Sequence, residues 1–114
     1  MQLAEDAVLL RVFIGEADTH QGRPLYESIV LKARELHLAG ATVLRGPMGF
    51  GHSSRLHSAK ILRLSEDLPL VIEIVDNQEK IDTLLPVIDS MMESGLITTE
   101  KVKVFRYGQP PAES

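Results

Sequence analysis

Apolar residues follow one another almost without interruption in three stretches of the chain, and this pattern predicts β-strands. The stretches are 7–15 (AVLLRVFIG), 41–45 (ATVLR) and 68–75 (LPLVIEIV). In the first, Arg11 is the one charged residue, so we expect a central strand that is buried on both faces. A fourth stretch, 101–107 (KVKVFRY), alternates between polar and apolar residues as a half-exposed strand does.

A helical spacing separates the first two predicted strands. Pro24 stands where the first residue of a helix would be, because the missing N–H of proline costs nothing there. Gly40 is placed to end the helix in the left-handed conformation. The apolar residues of this helix, at helical intervals, are Leu25, Ile29, Ala33 and Leu36.

A second helical spacing follows the strand at 68–75. Asp76 together with Glu79 forms an acidic variant of the capping box, and Gly95 supplies the stop. Pro86 lies inside the helix and removes one backbone hydrogen bond, so we expect a kink there. The apolar residues of this helix are Ile81, Leu84, Leu85, Ile88, Met91 and Met92.

The order β-α-β-β-α-β predicts an α+β fold. Short right-handed connections make it a ferredoxin-like sandwich, in which two helices pack on one face of a four-stranded antiparallel sheet. Residues 1–107 would form this single domain, and the polar tail 108–114 is expected to be disordered. The other face of the sheet would stay open and apolar. Because soluble proteins normally bury such a surface, the pattern also predicts an oligomer.

Composition narrows the functions that are open to a chain of 114 residues. The absence of cysteine excludes disulfides, thiolate catalysis and cysteine-bound metal clusters. A formal net charge of −4 argues against a general DNA or RNA binder. No apolar run approaches the length of a membrane span, and the first residues do not resemble a signal peptide. We therefore expect a cytoplasmic protein.

The distribution of charge along the chain is uneven. All sixteen acidic residues lie outside 36–65, a run that contains three histidines and four lysine or arginine residues. One interpretation is chance combined with two apolar strands inside the run. The other is a local positive field suited to an anion or an acidic partner.

Within this run lies RGPMGFGHSS, residues 45–54, which combines three glycines with an arginine. Glycine lets a ligand approach the main chain closely, and successive N–H groups in such a turn can bind an anion. The spacing matches neither the P-loop pattern GxxxxGK[ST] nor GxGxxG before a helix. A glycine-rich hairpin connection is the alternative interpretation.

The sequence contains no convincing set of catalytic side chains. Ser53 and Ser54 lie too close in sequence to His52 and His57 for a nucleophile, its base and an orienting residue, so we expect no enzyme. The same histidines, with His20, leave open a divalent-metal site.

Most of the chain resembles the PII signalling superfamily, and specifically its PII-like branch. GFGHS at 49–53 matches the base of the long T-loop of PII proteins. The strand to which that loop returns is matched by LPLVIEIVD at 68–76. Gly95, Ile97 and Lys101 fall where PII proteins have the glycine, the isoleucine and the lysine of a second nucleotide loop, the B-loop.

The resemblance implies a homotrimer of ferredoxin-like subunits that binds an adenine nucleotide in the clefts between neighbouring subunits. No further cofactor is required, and no nucleic-acid partner is implied. The segment 52–67 would be a flexible loop that signals to a partner such as a membrane transporter. From the glycine stretch and the resemblance together, the candidate nucleotide-binding residues are Arg45, Gly46, Gly49, Phe50, Gly51, His52, Ser53, Lys101 and Arg106.

Two departures from the PII pattern bear on the identity of the ligand. Thr98, Thr99 and Glu100 precede Lys101 where PII proteins have glycines, which restricts backbone approach and adds a charge that repels a polyphosphate. GQPPAES replaces the arginine-rich C-terminal segment of PII. We therefore expect AMP, ADP or a cyclic nucleotide rather than ATP. A CutA-like trimer that binds a divalent metal through the histidines is the alternative.

Overall fold

The computed structural model describes residues 5–50, 56–58 and 68–108, with side chains described for 5–47 and 68–108. This part of the chain contains two α-helices and eight strands. In chain order they are β1 (Glu5–Gly15), β2 (Thr19–His20), β3 (Arg23–Pro24), α1 (Leu25–Glu35), β4 (Thr42–Arg45), β5 (Met48–Phe50), β6 (Leu56–Ser58), β7 (Pro69–Asp76), α2 (Gln78–Met91) and β8 (Leu96–Val104).

Four of the strands form one antiparallel sheet in the order β4-β7-β1-β8. Arg11, in the middle of β1, lies opposite Glu73 of β7 on one side and opposite Thr98 of β8 on the other. The other four strands form two short pairs, β2 with β3 and β5 with β6. The predicted α+β fold, a four-stranded antiparallel sheet with two helices, is confirmed.

The hydrophobic core lies between one face of the sheet and the two helices. Every second residue of β1 from Val8 to Ile14 is buried, and so is every second residue of β7 from Leu70 to Ile74. These residues form one cluster with the buried side chains of α1 and α2. The intervening residues of β1 are only partly buried, because no helix of the described chain covers that side. The prediction that β1 is buried on both faces is therefore wrong for the single chain.

Helix α1 ends earlier than the sequence pattern predicts. Its last residue is Glu35, and His37, not Gly40, takes the left-handed conformation with φ of 64°. The amide of Leu38 donates to the carbonyl of Ala33 at 2.9 Å, which turns the chain back towards the helix. Leu38 is buried, and we attribute the early stop to the gain from burying it.

Helix α2 is capped by a residue other than the predicted one. The side chain of Asn77 accepts a hydrogen bond from the amide of Lys80 at 2.8 Å, which makes Asn77 the N-cap. Asp76 instead belongs to β7, and its carboxylate accepts from the amides of Ala39 and Asn77. Pro86 lies inside the helix as predicted, and the kink there stays a prediction.

Gly95, predicted as the stop after α2, occupies a position that only glycine fits. Its φ is 124°, and a Cβ there would lie 2.6 Å from Cε of Met92 and 2.7 Å from the carbonyl oxygen of Phe13. The last strand, β8, then begins at Leu96, five residues before the predicted start at Lys101. Pairing with β1 draws the polar residues that precede Lys101 into the edge of the sheet, and the strand ends at Val104 rather than at residue 107.

Several predicted features lie mostly outside the described residues. Of the segment 52–67, residues 56–58 form β6, and of the tail 108–114 only Gly108 is described. Neither helix of the described chain is long and apolar enough to cross a membrane.

Candidate functional site

The described residues of the predicted site lie in four places, one of which is β5 with Gly49 and Phe50. Arg45 and Gly46 lie where β4 ends, and Arg45 is level with Ile14 of β1. Lys101 lies within β8, opposite Val8, rather than in a loop before the strand. Arg106 follows β8 at the opposite end of the sheet. The predicted residues at positions 51, 52 and 53 lie outside the described residues.

The end of the sheet near Arg45 is called the loop end here, and consists of Glu16, Arg45, Gly46, Leu68 and Pro69. The Nη2 of Arg45 forms an ion pair with the Oε2 of Glu16. The amide of Gly46 donates to the carbonyl of Pro69 at 2.7 Å, and the amide of Glu16 donates to the carbonyl of Leu68 at 2.7 Å. Arg45, which the sequence predicts to bind an anionic ligand, therefore already has an anionic partner in the protein.

The glycine stretch itself runs into a hairpin. Gly49 lies opposite His57 and Phe50 lies opposite Leu56 in the β5–β6 pair. Because the amide of Gly46 is bonded to Pro69, it does not point into an anion-binding concavity. Over its described residues the stretch therefore enters a strand pair, as the hairpin interpretation expects, and the binding role of its residues stays a prediction.

The two charged neighbours in β8 lie on opposite faces of the sheet. Lys101 shares its face with buried Val8, whereas Glu100 shares the other face with Leu9. The carboxylate of Glu100 accepts from Nη1 of Arg11 at 2.7 Å. Glu100 therefore points away from Lys101 and has its own cation, so the expected repulsion of a phosphate beside Lys101 has no geometric basis within one chain.

A cavity of about 770 Å³ lies at the end of the sheet opposite the loop end, and this region is called the cavity end. It is lined by Glu5, Asp6, Ala7, Ala39, Val75, Asp76, Asn77, Val102, Lys103, Val104, Phe105, Arg106 and Tyr107. The hydroxyl of Tyr107 donates to the carbonyl of Ala39 at 3.3 Å, and this bond ties the chain after β8 to the chain after α1. Among the predicted site residues whose side chains the structure describes, Arg106 is the one that lines the cavity.

Sequence reasoning missed most of this cavity. Its aromatic side chains, Phe105 and Tyr107, are 71% and 68% exposed, and they flank Arg106 in the chain. The alternation of aromatic and cationic residues in KVFRY, 103–107, could have indicated a ligand site. The same alternation also fits a half-exposed strand, which is the prediction made from it. Lys103 contacts Asp6 at 2.5 Å, and this contact holds the pKa of the Asp6 carboxyl below its usual range.

The side of the sheet away from the helices is called the open face. It carries the large side chains Leu9, Phe13, Leu44, Val71, Val75, Leu96 and Val102. At its centre the Nε of Arg11 contacts the Oε2 of Glu73 at 2.9 Å, while Nη1 contacts Glu100. Hydrogen bonding to Glu73, with Glu100 adding to it, raises the pKa of Arg11 further above its ordinary value. The open face is therefore apolar around a compact cluster of charges.

The metal alternative finds no support in the described residues. They contain no group of three His, Cys, Asp or Glu side chains that could hold a metal ion. Of the predicted histidines, His52 lies outside the described residues, and the side chain of His57 is not described.

Comparison with known sequences identifies the family. A family model described as "Uncharacterized ACR" matches residues 7–104. The chain belongs to the DUF190 family. A UPF0166 protein of Aquifex aeolicus is 40% identical to it over 96 residues, which cover 84% of this chain and 90% of the relative. A UPF0166 protein of Methanocaldococcus jannaschii is 32% identical over 101 residues, which cover 88% and 93%.

Solved structures place this DUF190 chain among PII-like folds. CPII of Thiomonas intermedia K12 is a nitrogen regulatory PII-like protein whose structure was solved with ADP, AMP and bicarbonate bound. It superimposes with a TM-score of 0.69 at 15% identity, covering 93% of this chain and 94% of its own. A PII-like signalling protein of Thermus thermophilus gives 0.65 at 15% identity, covering 91% and 93%. The resemblance to PII-like proteins is confirmed for the fold.

Proposed function

We propose that the protein is a PII-like regulator that binds an adenine nucleotide in clefts between the subunits of a homotrimer. The observation that carries this proposal is the division of the candidate residues between the two ends of the sheet. The fold shared with CPII, which was solved with ADP and AMP, supports the choice of ligand.

A nucleotide site that uses both ends of the sheet would need more than one subunit. Arg45 lies level with Ile14, since both lie opposite Leu70, and Arg106 lies beyond Val104, which pairs with Glu5. Ile14 and Glu5 are nine residues apart on β1, or about 31 Å at the usual rise of an antiparallel strand. One nucleotide therefore contacts both ends only if the loop end of one subunit meets the cavity end of the next. Such a head-to-tail contact closes into a ring when the rotation between subunits permits.

The cavity end has the chemistry for a nucleotide. A volume of about 770 Å³ is in the range of small-molecule sites. The exposed rings of Phe105 and Tyr107 offer faces on which a base can stack. Arg106 and Lys103 supply cations for phosphate oxygens. In the assembled ring, the loop end of the neighbour would add Arg45 and the glycine stretch.

The proposal extends to the ligand and the partner. We favour AMP, ADP or a cyclic nucleotide over ATP, since β8 lacks the glycines with which PII proteins approach a long phosphate chain. The open face would be buried between copies in the cytoplasmic trimer. The segment 52–67 is assigned to recognition of a protein partner such as a membrane transporter.

Calorimetric titration with AMP, ADP, cyclic AMP and ATP tests the ligand. We expect ADP or AMP to bind, and Arg106→Ala to weaken binding by at least about tenfold because a charged contact is lost. Arg34→Ala is the matched control, since Arg34 is an exposed arginine on α1. Absence of heat from every nucleotide at millimolar concentration would refute nucleotide binding.

A mixing experiment tests the location of the site. Arg106→Ala removes a cation from the cavity end and Arg45→Ala removes one from the loop end, so each pure variant should lose binding. When the two are unfolded together and reassembled at equal amounts, about one quarter of the clefts combine two intact ends. We expect that fraction of binding to return. A site within one chain would stay inactive in the mixture.

A further inference from the structure

The ion pair between Arg45 and Glu16 crosses the beginning of β7. Arg45 lies opposite Leu70 on one side of this strand, and Gly15, the neighbour of Glu16, lies opposite Pro69 on the other. The side chain of Arg45 therefore reaches over β7 to the turn that follows β1.

Glu16 is held in place before any ligand arrives. Its amide donates to the carbonyl of Leu68, and the turn that contains it is closed by two further bonds. In these, the amide of Asp18 donates to the carbonyl of Gly15 at 3.1 Å, and the amide of Gly15 donates to the carboxylate of Asp18 at 2.9 Å. The side chain of Glu16 is 19% exposed, whereas that of Arg45 is 55% exposed. A shielded, fixed carboxylate thus faces an arginine that solvent and ligands can reach.

We propose that Glu16 is a built-in competitor for Arg45 and determines which anions can bind at the loop end. This inference rests on the proposed function in one respect: the competing anion is taken to be the phosphate of a nucleotide. An anion that approaches Arg45 must displace the Glu16 carboxylate, or share the guanidinium with it against the repulsion of like charges. A phosphate dianion meets this requirement better than a carboxylate monoanion, because it offers more charge and more acceptor oxygens.

Two consequences follow from this competition. The affinity of the loop end for any anion is lower than an unpaired arginine would give. Its discrimination in favour of phosphates is higher, because weaker anions fail to displace Glu16. Glu16 is therefore a specificity-determining residue that need not contact the nucleotide itself.

The test replaces Glu16 by its neutral isostere. Glu16→Gln should bind both ADP and inorganic pyrophosphate roughly three- to tenfold more tightly than the wild type at fixed ionic strength, as removal of one nearby charge permits. It should also gain affinity for acetate, which the wild type excludes. Glu27→Gln, the same charge change in the exposed first turn of α1, is the matched control and should bind as the wild type does.

A second readout follows Arg45 directly. The NMR resonance of the Arg45 guanidinium should shift in Glu16→Gln without ligand, and again when pyrophosphate is added, while Glu27→Gln leaves it unchanged. If Glu16→Gln fails to fold, Glu16→Asp retains the charge at a shorter reach and should also bind pyrophosphate more tightly.

The outcomes separate this inference from the proposed function. If ADP binds the wild type but Glu16→Gln shows no gain for either probe, the role of Glu16 is overturned while nucleotide binding stands. If ADP does not bind the wild type, yet Glu16→Gln gains affinity for pyrophosphate with a shift at Arg45, the role of Glu16 stands without the nucleotide. No gain with pyrophosphate, including no binding by either protein, overturns it.

Discussion

The two faces of the sheet are built from the same strands but serve different purposes. On the covered face, Leu10, Val12, Ile72 and Ile74 are at most 1% exposed beneath the helices. On the open face the large side chains remain accessible, and Leu96 is 55% exposed. Both faces are apolar, and for this reason β1 and β7 look like continuous apolar runs in the sequence. The comparison teaches that such a run can stabilise a subunit with one set of residues while the other set stays accessible, as the proposed assembly needs.

Charge distinguishes the two faces. No charged side chain belongs to the core cluster of the described residues, whereas the open face has Arg11 between Glu73 and Glu100 at its centre. An ion cluster contributes little at an exposed surface, but leaving one member unpaired in a buried interface is costly. The open face is therefore compatible with solvent in the free subunit, and in the proposed assembly its charges would have to stay paired.

The largest effect should come from neighbouring substitutions on β7. Ile72→Ala removes buried methyl groups under the helices and should lower the free energy of unfolding by about 2–5 kcal/mol. Val71→Ala, on the open face, should cost about 1 kcal/mol or less in the subunit. Urea denaturation at several protein concentrations measures both. The loss for Val71→Ala should grow with concentration if the open face is buried on assembly. If both variants lost the same free energy of unfolding, and that loss did not depend on protein concentration, the difference between the two faces would be contradicted.

The next effect concerns the charges of the open face. Arg11→Met leaves Glu73 and Glu100 without their cation. It should weaken assembly through the open face, because the interface would then bury carboxylates that have no counter-charge. Sedimentation measures the shift to smaller species, and Arg34→Met on exposed α1 is the control. An Arg11→Met variant that assembles like the wild type at neutral pH would show that the cluster lies outside the interface.

A smaller effect on stability is expected at the end of α1, one of the two helices on the covered face. His37→Gly should stabilise the protein by about 0.5–1 kcal/mol, because glycine adopts the left-handed conformation at little cost. Gly40→Ala is the matched comparison. Its added Cβ meets no atom within 4 Å, so we expect no loss of stability. Thermal unfolding measures both variants, and a destabilised Gly40→Ala would restore the predicted helix end at Gly40.

The smallest effect lies at the edge of the cavity. Lys103 lowers the pKa of Asp6 in the folded protein, so the contact stabilises the fold above the ordinary aspartate pKa and its contribution disappears as the pH falls through the lowered value. Asp6→Asn should thus be slightly less stable than the wild type near pH 7. The difference should begin to shrink near about pH 4 and vanish once the pH is below the lowered pKa of Asp6. If the stability difference between Asp6→Asn and the wild type persisted in acid, its cause would be something other than the Asp6–Lys103 pair.

Local patterns were sufficient for most of the elements. The strand at 68–75, the helical face of α2 and the β-α-β-β-α-β order of the main elements depend on the spacing of apolar residues, which is readable without knowing what they contact. The open apolar face also followed, since two helices cannot cover both sides of such a sheet. Of the candidate site, the sequence indicated Arg106 but not the aromatic residues beside it or the cavity around it.

Only the tertiary structure decided features that depend on partners distant in sequence. Residues 96–100 form a strand because they pair with the edge of β1. In that strand Glu100 contacts Arg11, which is 89 positions away in the sequence. Arg45 meets Glu16 for the same reason, across a strand that separates them. Spacing along the chain records which residues share a face of one element. It does not record which elements lie side by side, and the ion pairs of Arg11, Arg45 and Lys103 each join different elements.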